Sequence, residues 1–475
     1  MKNLVVTILL LVYSQSSLSK ILSERSMIQT LDFVHQMGSD IYCYWDIKKK
    51  MYGVDWDVII KEAKQKVTFR TSRSEFNEIL DEVAASVKDG HVRYLGLKPG
   101  TTLYKTGATF VSINGVIYSA KKIRSENNGL EVGDKIIKVD GLNIENVLIE
   151  NKKKSFGSTP LMIHTASVMK LGSHLYYKSP PKKKRVYSVE RDGKKIEIEL
   201  PWETIVIPDN GEDSVNRGDL VTSRILPGNI GYLRVRAMKS SLIKLILKKM
   251  DSLAGTNGLI IDVRYNGGGN GSVGDAIISR LVTKKVLRYK ASAKLSRQVT
   301  FGRPGLLEKF QKSNVFQNNF SSLINFEIIP TFPFYDKSVI VLTNERCFSA
   351  CDTFVDSFSS NKIGKILGTQ TGGGTGYPIK VKLPYDLGYI QFSVLQGWSN
   401  YGRLIEGIGT IPDITLEESL VDLVNNRDGV LSRALTYVQN ALGQKKTDQI
   451  NFKPHYDTNS GSMLEEMRVG EAWEK

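Results

Sequence analysis

The sequence predicts a multi-domain protein of α/β and β class, with a helical N-terminal region, a small β domain and an α/β core. Three observations predict it. From about Leu22 to Ala84 the apolar residues recur at helical spacing, as in WDVIIKEAKQKV and FNEILDEVAASV. From about Gly100 the pattern changes to alternation broken by turn pairs. ATFVSINGVIYSAKKI carries Asn114-Gly115, and Asp192-Gly193 joins RVYSVER to KKIEIEL. Beyond the polar linker PDNGEDSVNRGD, the buried-strand runs GNIGYLRV, GLIIDVR and SVIVLT alternate with the helical segments SSLIKLILKKMDSL and GDAIISRLV. Strands and helices in alternation build an α/β layer.

The chain divides accordingly. Residues 1–19 read as a secretory signal peptide: Lys2, the apolar run LVVTILLLVY, and a Ser17-x-Ser19 cleavage pattern. The run is short for a membrane span, so no stable membrane insertion is expected. Residues 20–100 form the helical region and 101–205 the β domain. In that domain NNGLEVGDKIIKVDGLNI places Gly133-Asp134 between a short helix-like piece and a strand from Lys135 to Val139. Residues 206–442 form the core and 443–475 a C-terminal tail.

Composition excludes little but orders the alternatives. The 475 residues are 41% hydrophobic and 24% charged, ordinary globular material. The net charge of +16 is spread along the chain, which reads as a solubilising surface and implies no nucleic-acid partner. Pro181-Lys182-Lys183-Lys184-Arg185 reads as a basic loop, not a nuclear localisation signal. Gly269 to Gly274 matches G-x-G-x-x-G, but no acid stands between Asp275 and Glu308 to hold a ribose, so no dinucleotide is expected. Neither a cofactor nor a metal is expected. Cys43, Cys347 and Cys351 make an odd count. Cys347 and Cys351 straddle Ser349 at a spacing that permits a local bridge, though buried thiols are the favoured reading.

TNERCFSACDTF, residues 343 to 354, runs from a buried strand into a helix through Ser349. A serine there is either a helix cap or a nucleophile. Several further stretches bear on the choice. NGLEVGDKIIKVDG resembles part of a PDZ domain. Asp262-x-Arg264-x-Asn266-x-Gly268-Gly269, Ser349-Ala350-x-Asp352, Leu367-Gly368-x-x-Thr371-x-Gly373, Glu406-Gly407-x-Gly409-x-x-Pro412-Asp413 and Asp89-Gly90-His91 resemble, in order, motifs of the C-terminal processing peptidases and the tricorn core protease. The resemblance implies a serine peptidase with a helical N-terminal region, an inserted PDZ-like domain and a ClpP/crotonase-like α/β core.

Lysine-base members of that family carry the lysine shortly after T-x-G, where this chain has Gly374; Lys380 and Lys382 come later, on a strand. His91 and Glu406 match the histidine-base branch, although the serine that precedes the histidine there is Gly90 here. The chemistry agrees. A serine hydroxyl needs an adjacent base, and an imidazole held by a carboxylate supplies one. Of His35, His91, His164, His174 and His455, His91 alone follows a glycine at a helix end.

The expected catalytic residues are therefore Ser349, His91 and Glu406, with the N–H groups of Gly268 and Ala350 as oxyanion donors. Asp262 and Arg264 are expected to form a structural ion pair, and Asp352 to complement the helix dipole. The expected function is hydrolysis of proteins or peptides by a secreted or periplasmic enzyme. The alternatives are an inactive PDZ-bearing scaffold and a Ser/Lys peptidase with a displaced lysine.

Overall fold

The computed structural model describes residues 22–96, 102–124, 129–173, 180, 182–206, 220–296, 299, 310 and 320–443. The signal peptide, the linker, the C-terminal tail, His174 and His455 lie outside the described residues. Four helices open the fold: α1 (Glu24–Ile41), α2 (Trp45–Tyr52), α3 (Trp56–Gln65) and α4 (Arg73–Ser86). Their starts follow from caps. Ser23 and Asp55 accept N–H bonds at α1 and α3, and Ser72 with Glu75 makes a capping box on α4. Met27, Leu31, Val34 and Ile41 of α1 lie on one buried face.

The helical region does not stand alone. After α4 the chain enters β1 (Arg93–Leu95), which pairs with a strand of the core described below. Phe76, Leu80 and Val83 share one hydrophobic cluster with Ile390 and Phe392 of that core. Burial of this face is what folds residues 22–96 back over the rest of the molecule.

The next unit contains β2 (Thr102–Lys105), β3 (Phe110–Ile113), β4 (Val116–Ser119), β5 (Lys135–Val139), β6 (Leu142–Asn143), α5 (Ile144–Lys153), α6 (Pro160–Met169), β7 (Lys184–Arg191), β8 (Lys194–Pro201) and β9 (Glu203–Val206). One antiparallel sheet runs β3-β4-β5-β7-β8, with β6 on β5; β2 pairs with β9. Asn114 and Gly115, and again Asp192 and Gly193, take positive φ, as two-residue hairpin turns of this kind require. The helix-like piece expected before Gly133 is instead a turn. Ile123 bridges to Leu130, and the Asp134 carboxylate accepts the Glu131 N–H at 2.8 Å. A local Asp–backbone bond outcompetes a single helical turn.

The core comprises β10 (Val221–Leu226), β11 (Ile230–Val235), α7 (Ile243–Ser252), β12 (Gly258–Asp262), α8 (Ser272–Ser279), β13 (Val286–Ala293), β14 (Ile324–Ile328), β15 (Ser338–Thr343), α9 (Ala350–Ser360), β16 (Lys365–Gly368), β17 (Pro378–Lys382), β18 (Tyr389–Ser393), β19 (Leu395–Trp398), β20 (Ile414–Thr415), α10 (Leu420–Val424) and α11 (Gly429–Ala441). Its main sheet has the order β10-β11-β12-β15-β16-β20 and is parallel from β11 to β20. Val273, Ile277, Phe354 and Phe358 of α8 and α9 cover one face; Leu431, Ala434, Leu435 and Val438 of α11 cover the other. Strands buried on both faces read as continuous apolar runs, which is why GLIID and SVIVLT were recognisable. β18 pairs with β1 and β17, and β13 with β14 and β19. No helix among the described residues is long and apolar enough to cross a membrane.

Candidate active site

Ser349, the expected nucleophile, lies six residues beyond the C-terminal end of β15 and directly before α9. Its backbone does not have the extended conformation of an ordinary cap: φ is 59° and ψ −117°. A positive φ on a non-glycine residue is costly and persists only where the surroundings enforce it. Here they do. Phe348 N–H bonds Asn266 C=O at 3.0 Å, Ser349 N–H bonds Asp352 Oδ2 at 3.0 Å, and Cys347 and Cys351 form a disulfide across the turn. The disulfide corrects the expectation of buried thiols. The two cysteines flank one turn with Cα atoms 5.3 Å apart, well within bridging range.

Ser349 is half-buried, and its Oγ lies 3.0 Å from Nε2 of His91. The two residues are 258 positions apart in the chain. His91 is placed by its neighbours: its N–H donates to Asp89 Oδ1 at 2.7 Å, and its C=O accepts from Gln391 Nε2 of β18 at 2.7 Å. The ring packs against Phe348 at a tilt of 35°, with centroids 4.5 Å apart. That ring explains both departures from the family motifs. A β-carbon at Gly374 would overlap Phe348, and one at Gly90 would meet it at 2.6 Å. Neither a lysine at 374 nor a serine at 90 fits beside this aromatic side chain. Lys380 and Lys382 on β17 are exposed.

Glu406 does not hydrogen-bond the imidazole directly. His91 Nδ1 is buried without a hydrogen-bond partner, 3.7 Å from Asp89 Oδ1. Glu406 is fully buried, and its Oε1 accepts from Lys48 Nζ at 2.7 Å while Oε2 accepts from Thr375 N–H at 3.2 Å. Lys48, also fully buried on α2, donates to Lys88 C=O at 2.6 Å. Burial and the adjacent Asp89 charge push the Glu406 carboxyl up to about 7, against the opposing pull of Lys48. Asp89 is held well below the usual carboxylate range: burial raises it, but the His91 hydrogen bonds and the Lys48 charge outweigh that. The two acids thus divide one negative environment, Asp89 firmly ionised and Glu406 poised near neutrality.

Asp89, His91 and Glu406 each bring one ligand atom within 4.8 Å of the others, the one such cluster found among the described residues. The Lys48 ammonium already supplies a positive charge to Glu406 there, on Oε1.

The expected oxyanion donors divide. Gly268 lies against Ser349, but its N–H bonds Asn266 Oδ1 at 2.9 Å. Ala350 occupies the first position of α9, where backbone N–H groups have no intrahelical acceptor. Asp352 stands in the first turn of α9, as expected of an acid that complements the helix dipole. It is also fully buried and accepts from Ser349, Gly373 and Gly374 N–H, so it ties the glycine turn to the turn at Ser349. Burial, opposed by these bonds, pushes its carboxyl up to about 7. Asp262 and Arg264 are joined by Asp428: Arg264 Nη2 lies 2.6 Å from Asp262 and 2.7 Å from Asp428. That network fastens α11 to β12.

Sequence reasoning missed Lys48, Asp89, Phe348 and Asp428. Asp89 was inside a recognised motif. Lys48 carried no signal, since it is one of three consecutive lysines on a helix.

Residues 229–416 match the model of peptidase family S41. The tricorn protease of Thermoplasma volcanium is 26% identical over 222 residues, which is 46% of this chain and 18% of that protein. The tricorn protease homolog of Saccharolobus solfataricus is 29% identical over 213 residues, 44% of this chain and 16% of that protein. The chain therefore spans less than a fifth of the length of either curated relative. Among solved structures, mature CPAF is similar with a TM-score of 0.72 at 18% sequence identity, covering 90% of this chain and 99% of that one. At that identity the likeness is one of fold.

Proposed function

We propose, for a chain whose residues 229–416 match the model of peptidase family S41, that it is a serine endopeptidase with a histidine base. The observation that carries this reading is the 3.0 Å separation of His91 Nε2 and Ser349 Oγ. In the proposed cycle His91 takes the Ser349 proton as Oγ attacks the scissile carbonyl, then delivers it to the leaving amine. Water resolves the acyl-enzyme by the same route in reverse. The Ala350 N–H stabilises the oxyanion at the end of α9. Asp89 and Glu406 stabilise the imidazolium electrostatically, each with a carboxylate oxygen within 4.8 Å of a ring nitrogen. Gly90 and Gly374, which motivated the inactive-scaffold and displaced-lysine readings, are accommodated by Phe348 without loss of the Ser349–His91 pair.

A fluorophosphonate probe should label the wild type at Ser349 and leave Ser349→Ala unlabelled. No labelling of a folded wild type would favour the scaffold reading.

The β unit is proposed as a PDZ-like docking flap. β3 ends its sheet, and α6 lies beside it across a cleft of about 500 Å³ that extends to Asn344 and Glu345 of the core. His164 Nε2 lies 2.9 Å from Ser112 Oγ within that groove. An extended peptide would add to the β3 edge. The preceding turn has Gly107 but lacks the paired glycines of a carboxylate-binding loop. Cleavage rates of one unstructured substrate with free and with amidated C-terminus should therefore differ by less than about threefold. A large preference for the free acid would make the unit a reader of C-termini. Secretion or periplasmic location is proposed from the N-terminal pattern, and the Cys347–Cys351 disulfide supports an oxidising compartment.

A further inference from the structure

The β unit reaches the base of the cleft through one short segment between α5 and α6. Ser158 and Thr159 in it are both fully buried. Ser158 Oγ accepts the Gly90 N–H at 3.0 Å, immediately before His91. Its C=O accepts from Tyr52 Oη of α2 at 2.9 Å, and Tyr52 also reaches Gly407 C=O at 3.3 Å. The Ser158 hydroxyl also faces the Glu406 carboxyl and favours its ionised form. A hydroxyl has one proton and two lone pairs. With Gly90 N–H on a lone pair, the proton is available to Glu406. One side chain from the β unit therefore bonds the residue that precedes the base and faces the carboxyl that supports it.

Resting on the serine peptidase reading above, we propose that Ser158 is a positioning residue for the His91–Glu406 pair. It does from a different domain what a serine in the place of Gly90 would do within the motif. It follows that the catalytic pair is complete only while the β unit is seated on the core. The rest of the seat is consistent with this. Thr165 Oγ1 bonds Glu345 Oε1 at 3.0 Å, and β-carbons at Gly373 and Gly372 would meet Thr159 Cγ2 at 2.8 Å and Met162 Sδ at 3.0 Å. The segment is thus packed against the same glycine turn that Asp352 holds.

The test follows from the charge that Ser158 stabilises. A hydroxyl that donates to Glu406 favours its ionised form, so removing it favours the protonated form. The other groups facing Glu406 are Lys48 and Tyr52 from α2, Tyr42, Cys43 and Tyr44 from the turn between α1 and α2, and Asp89 and His91 after α4. All of them remain in Ser158→Ala. In the full-length protein, Ser158→Ala should move the acidic limb of the kcat profile up by about one to two pH units. At pH 7 kcat then falls roughly five- to fiftyfold, most of it returns by pH 9, and KM stays within about twofold. Ser158→Thr, which keeps the hydroxyl, should restore the limb; Ser158→Cys, nearly isosteric, gives the same readout should the alanine variant not fold. In a Glu406→Gln background Ser158→Ala should cost less than about threefold more. A limb that stays in place, or a loss that is equal at every pH and additive with Glu406→Gln, overturns the proposal. Wild-type protein that neither cleaves nor labels at Ser349 overturns the peptidase reading instead.

Discussion

His91→Ala is expected to lower kcat by roughly 10⁴- to 10⁶-fold, because in the proposed mechanism nucleophile and base act as a unit and either deletion removes most of the rate enhancement. The fold should survive. The His91 side chain makes one hydrogen bond, to Ser349, and one ring contact, to Phe348, while its position is held by backbone bonds to Asp89 and Gln391 that alanine keeps. Unchanged circular dichroism with lost turnover is the expected pair of results. Near-wild-type turnover in His91→Ala, with activity lost on substituting Lys380 or Lys382, would move the mechanism to a lysine base.

The second large effect is on stability. Lys48 and Glu406 are both fully buried and lie 2.7 Å apart. Such a pair need not be more stable than an apolar pair of the same volume, but breaking one half strands the other. Lys48→Met should destabilise the protein by about 3–5 kcal/mol, read as a fall in the urea midpoint with an unchanged slope. Two carboxyls then share the pocket without a counter-charge, so turnover at neutral pH should fall as well. Adding Glu406→Gln to Lys48→Met removes the stranded acid and should recover a large part of the stability. A loss below about 1 kcal/mol for Lys48→Met would mean that water reaches the pair and screens it.

Lys48 also shows where the sequence stops informing. Ser349, Ala350 and Asp352 were legible because they sit in one local stretch after an apolar strand. His91 and Glu406 were legible because each lies in a short motif with a recognisable order. Lys48 belongs to the run Lys48-Lys49-Lys50, which looks like a solvated helix face. It is buried because the apolar stripes of α1, α3 and α4 pack onto β17 and β18 and draw α2 over the cleft. Ser158 is hidden for the same reason: nothing near residue 158 in the chain announces a partner at 90 or 406.

By itself, then, the sequence determined a mixed helix and sheet, multi-domain chain and the places of its buried strands. These depend on periodicity and turn residues, which are local. It also determined which serine, histidine and glutamate stand in the motifs from which the mechanism is proposed. The tertiary structure decided what is non-local. It closed the Cys347–Cys351 bridge, placed the Phe348 ring where Gly90 and Gly374 leave room, separated Glu406 from direct contact with His91, and paired it with Lys48. Each of these depends on which side chains share a desolvated volume. That is set by how the apolar faces of three units cover one another, and no window of sequence contains it.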